Sequence, residues 1–169
     1  MDYENLNIHN NIINKLDLFL KSKKIPNIIF HGPCGSGKKT IIKKFINKIF
    51  NGNKNKDDFT FFVNCAQGKG IKFIREDLKY FSKTNLNCKD GNIFKIIILS
   101  NADKLTIDAQ SALRRCIELY SHTTRFFIII EDKYKLLKPI LSRFAEIYIP
   151  SINIKNLTLN QFIIEKKLI

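Results

Sequence analysis

A chain of 169 residues has room for one domain of ordinary size but not for two, and such a domain buries about 70% of its unfolded surface. Hydrophobic residues at 44% and charged residues at 26% give a globular balance and exclude an intrinsically disordered chain. Lys+Arg 29 against Asp+Glu 15 leaves a net charge of +14, which suits a polyanion such as nucleic acid or an acidic membrane surface, although a Lys-, Asn- and Ile-rich composition accounts for part of it.

The chain opens with "MDYENLNIHNN", polar and acidic, without the apolar stretch of a signal peptide. No later run approaches the roughly 20 apolar residues of a membrane helix, so a soluble intracellular protein is expected. Cys34, Cys65, Cys88 and Cys116 are far apart, and with His9, His31 and His122 they form no metal-ligand spacing. Reduced thiols and no metal site are expected. Asn10–Leu20 reads as a helix that turns Ile12, Ile13, Leu16 and Leu20 to the core.

Five apolar runs follow: "NIIF" (27–30), "FTFFV" (59–63), "FKIIIL" (94–99), "RFFIII" (125–130) and "AEIYI" (145–149). They are β-branched, aromatic and nearly continuous, as strands buried on both faces should be. Amphipathic stretches alternate with them: Lys38–Phe50, Ile71–Phe81, Thr106–Tyr120, with Ile107, Leu113, Ile117 and Tyr120 read as one face, and a short one over Tyr134–Leu141. Alternation of this kind predicts an α/β fold with a parallel five-stranded sheet flanked by helices. Residues 1–150 form the domain, including a helix at about 10–21; after Pro150 the chain is read as starting another helix.

Between the first strand and the second helix lies "HGPCGSGKKT", a phosphate-binding loop over Gly32, Pro33, Cys34, Gly35, Ser36, Gly37, Lys38, Lys39 and Thr40. Glycines let backbone N–H groups face an anion, the helix N-terminus adds its dipole, and Lys38 reaches the β/γ phosphates of ATP. The residue that should bring a hydroxyl to Mg²⁺ is Lys39, and an ammonium cannot ligate a metal. Thr40 sits about 100° further round the helix. At the end of the third strand, where such ATPases carry an acidic pair, stand Ser100 and Asn101, with Asp103 beyond. Ser100 can support a metal-bound water, but neither residue serves as a base near neutral pH. ATP bound with little or no Mg²⁺, and hydrolysed poorly, is the expectation.

The run over 101–150, with its Asp-Ala-Gln-x-Ala-Leu-Arg-Arg block at Asp108–Arg115, Thr124-Arg125-Phe126 and Ser142-Arg143, resembles the small subunits of replication factor C, the AAA+ clamp loader. "PNIIFHGPCGSGKKT" and "NCAQGKGIKFIRE" (64–76) fit the same family, and the double-Lys loop is similar to its hydrolysis-poor member. The resemblance implies that Arg143 is an arginine finger acting on a neighbouring subunit's ATP, with Phe144 where the family has Cys. It implies that Glu131 stands at the γ-phosphate sensor position, usually Asn, and Lys39 is the cation that would pair with it. It implies DNA or junction contacts from Lys69, Lys72, Arg75, Lys104, Arg114 and Arg115. The implied partners are other clamp-loader subunits, a sliding clamp and primer–template DNA, with no membrane, in the nucleus or at a viral replication site. Residues 151–169 would then begin a truncated helical lid, and the compositional bias would suit a large DNA virus. Two alternatives stand beside this reading: an active P-loop ATPase using Asp103, and an interaction module without nucleotide.

Overall fold

The computed structural model describes residues 9–50, 56–66, 72, 74–83, 94–151, 153–154 and 157–158. Helix α1 (Asn10–Lys21) precedes β1 (Ile28–His31), and α2 (Lys38–Ile49) follows it. After the short α3 (Lys56–Phe59) come β2 (Thr60–Asn64), a π-helical stretch (Ile74–Leu78) and α4 (Lys79–Lys83). Strand β3 (Lys95–Ser100) leads through a 3₁₀ turn (Ala102–Lys104) into α5 (Ile107–Tyr120) and β4 (Thr124–Ile130). A second 3₁₀ turn (Lys133–Lys135), α6 (Lys138–Leu141) and β5 (Ala145–Tyr148), the last strand of the main sheet, follow.

The sheet is parallel throughout, in the order β2-β3-β4-β1-β5. Successive strand residues point to opposite faces, and the core divides accordingly. Ile29, Ile97, Leu99, Phe126, Ile128 and Ile130 join one cluster with Ala109, Leu113, Cys116 and Ile117 of α5. Ile28, Phe30, Ile96, Ile98, Phe127 and Ile129 join the other with Leu16 of α1 and Ile41, Ile42, Phe45 and Ile46 of α2. Each central strand therefore buries both faces, which is why its sequence is apolar without alternation. The edge strands β2 and β5 are only partly covered.

Two polar side chains fix this frame. Arg125 donates from Nε to Ile25 O at 2.6 Å and from Nη1 to Ser121 O, and its guanidinium lies over the Phe94 ring, tying β4 to the segment before β1. Gln110 of α5 is buried; its Nε2 donates to Leu105 O and Lys135 O, both at 3.1 Å, and its Oε1 accepts from Leu137 N at 2.9 Å. One amide thus joins the turn before α5 to the loop that leads to α6. Gln110→Leu keeps the volume but strands a buried N–H and two carbonyls, so urea unfolding should show a loss of about 3 kcal/mol. An unchanged midpoint would contradict this.

Four expectations need correction. Ile107 is 70% exposed: it lies six residues from Leu113, about 240° round the helix, and the buried face is built from Ala109, Gln110, Leu113, Cys116 and Ile117. Within 71–81, Ile74–Leu78 is π-helical and the chain is α-helical again from Lys79. The stretch at 134–141 is split, because Leu136 is extended and α6 restarts with Pro139 in its first turn, where a missing N–H costs nothing. After Pro150, Asn153–Ile154 (β6) and Leu157–Thr158 (β7) pair antiparallel and are not helical, and the rest of the expected lid after Ser151 lies outside the described residues.

Candidate nucleotide-binding site

The loop joining β1 to α2 is shaped by positive φ at Gly32 (147°), Gly35 (75°) and Gly37 (87°). Gly37 is the N-cap of α2 and offers no side-chain oxygen, so the opening turn of a 12-residue helix has no side-chain cap. Uncapped N–H groups at a helix start are where an anion is favoured. Lys38, only 8% exposed, folds into the loop. Its Nζ donates to Gly32 O and Pro33 O, each at 2.7 Å, and stands 3.4 Å from Ser36 Oγ. Burial pulls the Lys38 ammonium below the ordinary lysine range, opposed chiefly by the nearby Glu131. The ammonium is therefore at the loop's centre with glycines around it. This donor set fits a polyphosphate.

The positions that usually serve the metal carry other groups. Lys39 is exposed and its Nζ lies 6.0 Å from the centroid of the Phe62 ring on β2. Thr40 is exposed too. Ser100 is fully buried and donates its hydroxyl to Val63 O at 3.1 Å, which leaves its oxygen able to accept. Asn101 adopts the left-handed conformation (φ 54°) and donates from Nδ2 to Asn64 Oδ1 at 2.8 Å. Among the described residues no group of three or more His, Cys, Asp and Glu could hold a metal ion.

Glu131, just past β4, is exposed and close enough for its charge to act on Lys38. No ion pair joins it to Lys39 among the described residues; the expected Lys39–Glu131 pairing is replaced by the Lys39–Phe62 contact. Sequence reasoning missed two neighbours of the loop. His9 places Nε2 3.0 Å from Ser36 O, and His31 lies against Tyr148 with ring centroids 5.3 Å apart. Burial, followed by the Lys133 charge, lowers the His31 pKa. Nothing in the residue pattern around His9 signals a contact across 27 positions.

Cys34, Cys65 and Cys116 are free; burial pushes the Cys65 thiol up to about 12 and the Cys116 thiol up to about 11, so neither is a nucleophile. Arg143, just past α6, contacts Glu118, Pro139 and Ser142, none of them in its own phosphate loop. Phe144 packs against the core cluster on the α5 side. Arg114 and Arg115 separate: Arg114 Nε donates to Glu118 Oε1, whereas Arg115 lines a cleft of about 580 Å³ with Lys79, Asp108 and Tyr120. Lys72 and Lys104 are exposed. Lys69 and the Arg75 side chain lie outside the described residues.

No protein-family profile matches the chain. Over 135 residues it is 37% identical to the replication factor C small subunit of Sulfurisphaera tokodaii, covering 79% of this chain and 40% of that protein. It is 36% identical over 134 residues to replication factor C subunit 3 of Saccharomyces cerevisiae, covering 79% of this chain and 38% of that one. Among solved structures, the Aeropyrum pernix ORC1 protein in complex with DNA superposes with a TM-score of 0.68 at 14% identity, covering 99% of this chain and 52% of that chain. A DNA polymerase III gamma subunit-related protein of Thermotoga maritima superposes with a TM-score of 0.62 at 16% identity, covering 86% of this chain and 45% of that one. These structural likenesses agree with the AAA+ P-loop fold. The chain spans about two fifths of the length of the curated relatives it matches. Over that span, the chain is homologous to replication factor C small subunits.

Proposed function

We propose that the chain is a clamp-loader subunit that holds ATP while hydrolysing it poorly, and that its main catalytic contribution is made in trans. The supporting observation is the contrast within one site. Lys38 is buried in the loop with its ammonium on two loop carbonyls, while Lys39 cannot ligate a metal and Ser100 and Asn101 carry no negative charge and are bonded to Val63 and Asn64. On this reading the Lys38 ammonium exchanges the Gly32 and Pro33 carbonyls for phosphate oxygens, and the uncapped start of α2 completes the cradle. Bound Mg²⁺ would supply charge neutralisation at the phosphates, but Lys39 stands where its usual hydroxyl ligand would be and Ser100 and Asn101 where its usual carboxylates would be, so the affinity for ATP should depend little on it.

Arg143 serves a neighbouring subunit's nucleotide in this proposal. Primer–template DNA is tracked by exposed cations, with Lys72 and Lys104 as described candidates. Such contacts position without reading sequence, so binding should weaken steeply with salt. A sliding clamp and other clamp-loader subunits are the remaining partners. No helix among the described residues is long and apolar enough to cross a membrane.

Fluorescent-nucleotide titration of the chain tests the nucleotide reading. ATP should bind with similar affinity with and without Mg²⁺, and Lys38→Ala should weaken binding at least about tenfold, the equivalent of 1.4 kcal/mol. Turnover by the isolated chain at the ordinary rate of about 1–10² s⁻¹ would overturn poor hydrolysis and point to Asp103, whose charge reaches Lys38. No binding at millimolar ATP would leave an interaction module.

A further inference from the structure

Arg114 and Glu118 are four residues apart on α5 and so share a face. The turn of α6 brings Arg143 to that same face. Both arginines converge on one carboxylate oxygen: Glu118 Oε1 accepts from Arg114 Nε at 3.0 Å and from Arg143 Nη2 at 2.6 Å. The other edge of the Arg143 guanidinium is also fixed, because Nη1 donates to Pro139 O and stands 3.4 Å from Ser142 Oγ. Arg143 thus has two anchors, one to its own turn and one to a different helix. Its side chain remains 35% exposed and open to a second molecule.

We infer that Glu118 is a positioning residue for Arg143, holding the guanidinium in the orientation in which a neighbouring subunit's phosphate receives it. The inference rests on the trans role proposed above for Arg143. An unanchored arginine samples many rotamers, and two arginines side by side repel; a shared carboxylate oxygen removes both problems. Hydrogen bonding from Arg114, followed by the charges of both arginines, holds the Glu118 carboxyl below its usual range, so it stays ionised near neutral pH. The three groups are solvent-accessible, and exposed ion pairs add little to stability. A purely structural role is therefore a poor account of the convergence.

The test uses the assembled complex containing this chain and measures its DNA-stimulated ATPase with Glu118→Gln, Arg143→Ala and both together. Glu118→Gln should lower kcat about tenfold or more through misplacement of the guanidinium, with KM changed less than about twofold. The melting temperature of the chain should not move, and the double variant should be no slower than Arg143→Ala alone. Full turnover in Glu118→Gln beside a crippled Arg143→Ala would overturn the positioning role while leaving the arginine finger standing. Faster turnover in Glu118→Gln, or a loss that persists in the Arg143→Ala background, would also overturn it. Full turnover in Arg143→Ala would remove the trans role itself, and the positioning role with it.

Discussion

Arg143→Ala in the assembled complex lowers ATP turnover by about 10³-fold or more while the complex still forms. The magnitude follows from what a guanidinium does in phosphoryl transfer: it neutralises charge that develops on the γ-phosphoryl oxygens, and arginine fingers contribute roughly 10³–10⁵ in rate. Among the described residues, Arg143 bonds to its own turn and to α5, so its removal leaves the phosphate loop of its own chain untouched. ATP affinity of the isolated chain should be unaltered. Size-exclusion chromatography of the mutant complex separates lost chemistry from lost assembly. Turnover within a factor of two of the parent, in an intact complex, would show that Arg143 acts on no partner's nucleotide.

Gly32→Ala is the second large effect, and it acts through the fold. A methyl group at position 32 would meet Ile149 O at 2.1 Å and Ile149 C at 3.0 Å, and the residue already has φ of 147°. The obstructing atoms are backbone, and the neighbouring Ile149 N–H is itself bonded to His31 O at 2.8 Å, so the chain cannot yield as a flexible side chain would. Backbone strain of roughly 1–3 kcal/mol and overpacking of similar size add to about 4 kcal/mol of lost stability. That is a large share of the roughly 5–15 kcal/mol that holds a domain folded. Denaturant unfolding checks it, and a loss below 1 kcal/mol would mean that the loop relocates freely away from β5.

Where the sequence was legible, one strong local signal decided the outcome. The central strands are buried on both faces, so Ile96–Leu99 and Phe126–Ile130 had to be continuously apolar, and no other element produces runs that short and that β-branched. The loop was legible because Gly32, Gly37 and Lys38 answer to a ligand whose geometry is the same wherever it binds. Thr106 could be read as the start of α5 because its hydroxyl caps Ala109 N. What was missed depends on contacts between distant residues. Arg125 looked like a family marker, and its carbonyl partners at Ile25 and Ser121 emerge only when β4 is in place. Glu118 reads as an ordinary exposed helix residue until α6 folds back. The Lys39–Glu131 pairing was argued from charge alone, and no ion pair joins the two among the described residues, whereas Lys39 lies over the Phe62 ring on β2. The π-helical turn at Ile74–Leu78 leaves no trace in a period of 3.6.

The order of the strands also sets when the molecule can fold. β1 lies between β4 and β5, and its neighbours arrive late: the Asn27 side chain accepts from Phe126 N, 99 residues further along the chain. As the polypeptide leaves the ribosome, Ile28, Ile29 and Phe30 emerge early yet have no strand to pair with until most of the domain has been made. Closing so long a loop is slow, and the unpaired apolar segment is exposed to wrong partners while it waits. Nascent chains stalled before Phe126 should therefore hold β1 in chaperone-accessible form, and release of that segment marks the moment the sheet becomes whole.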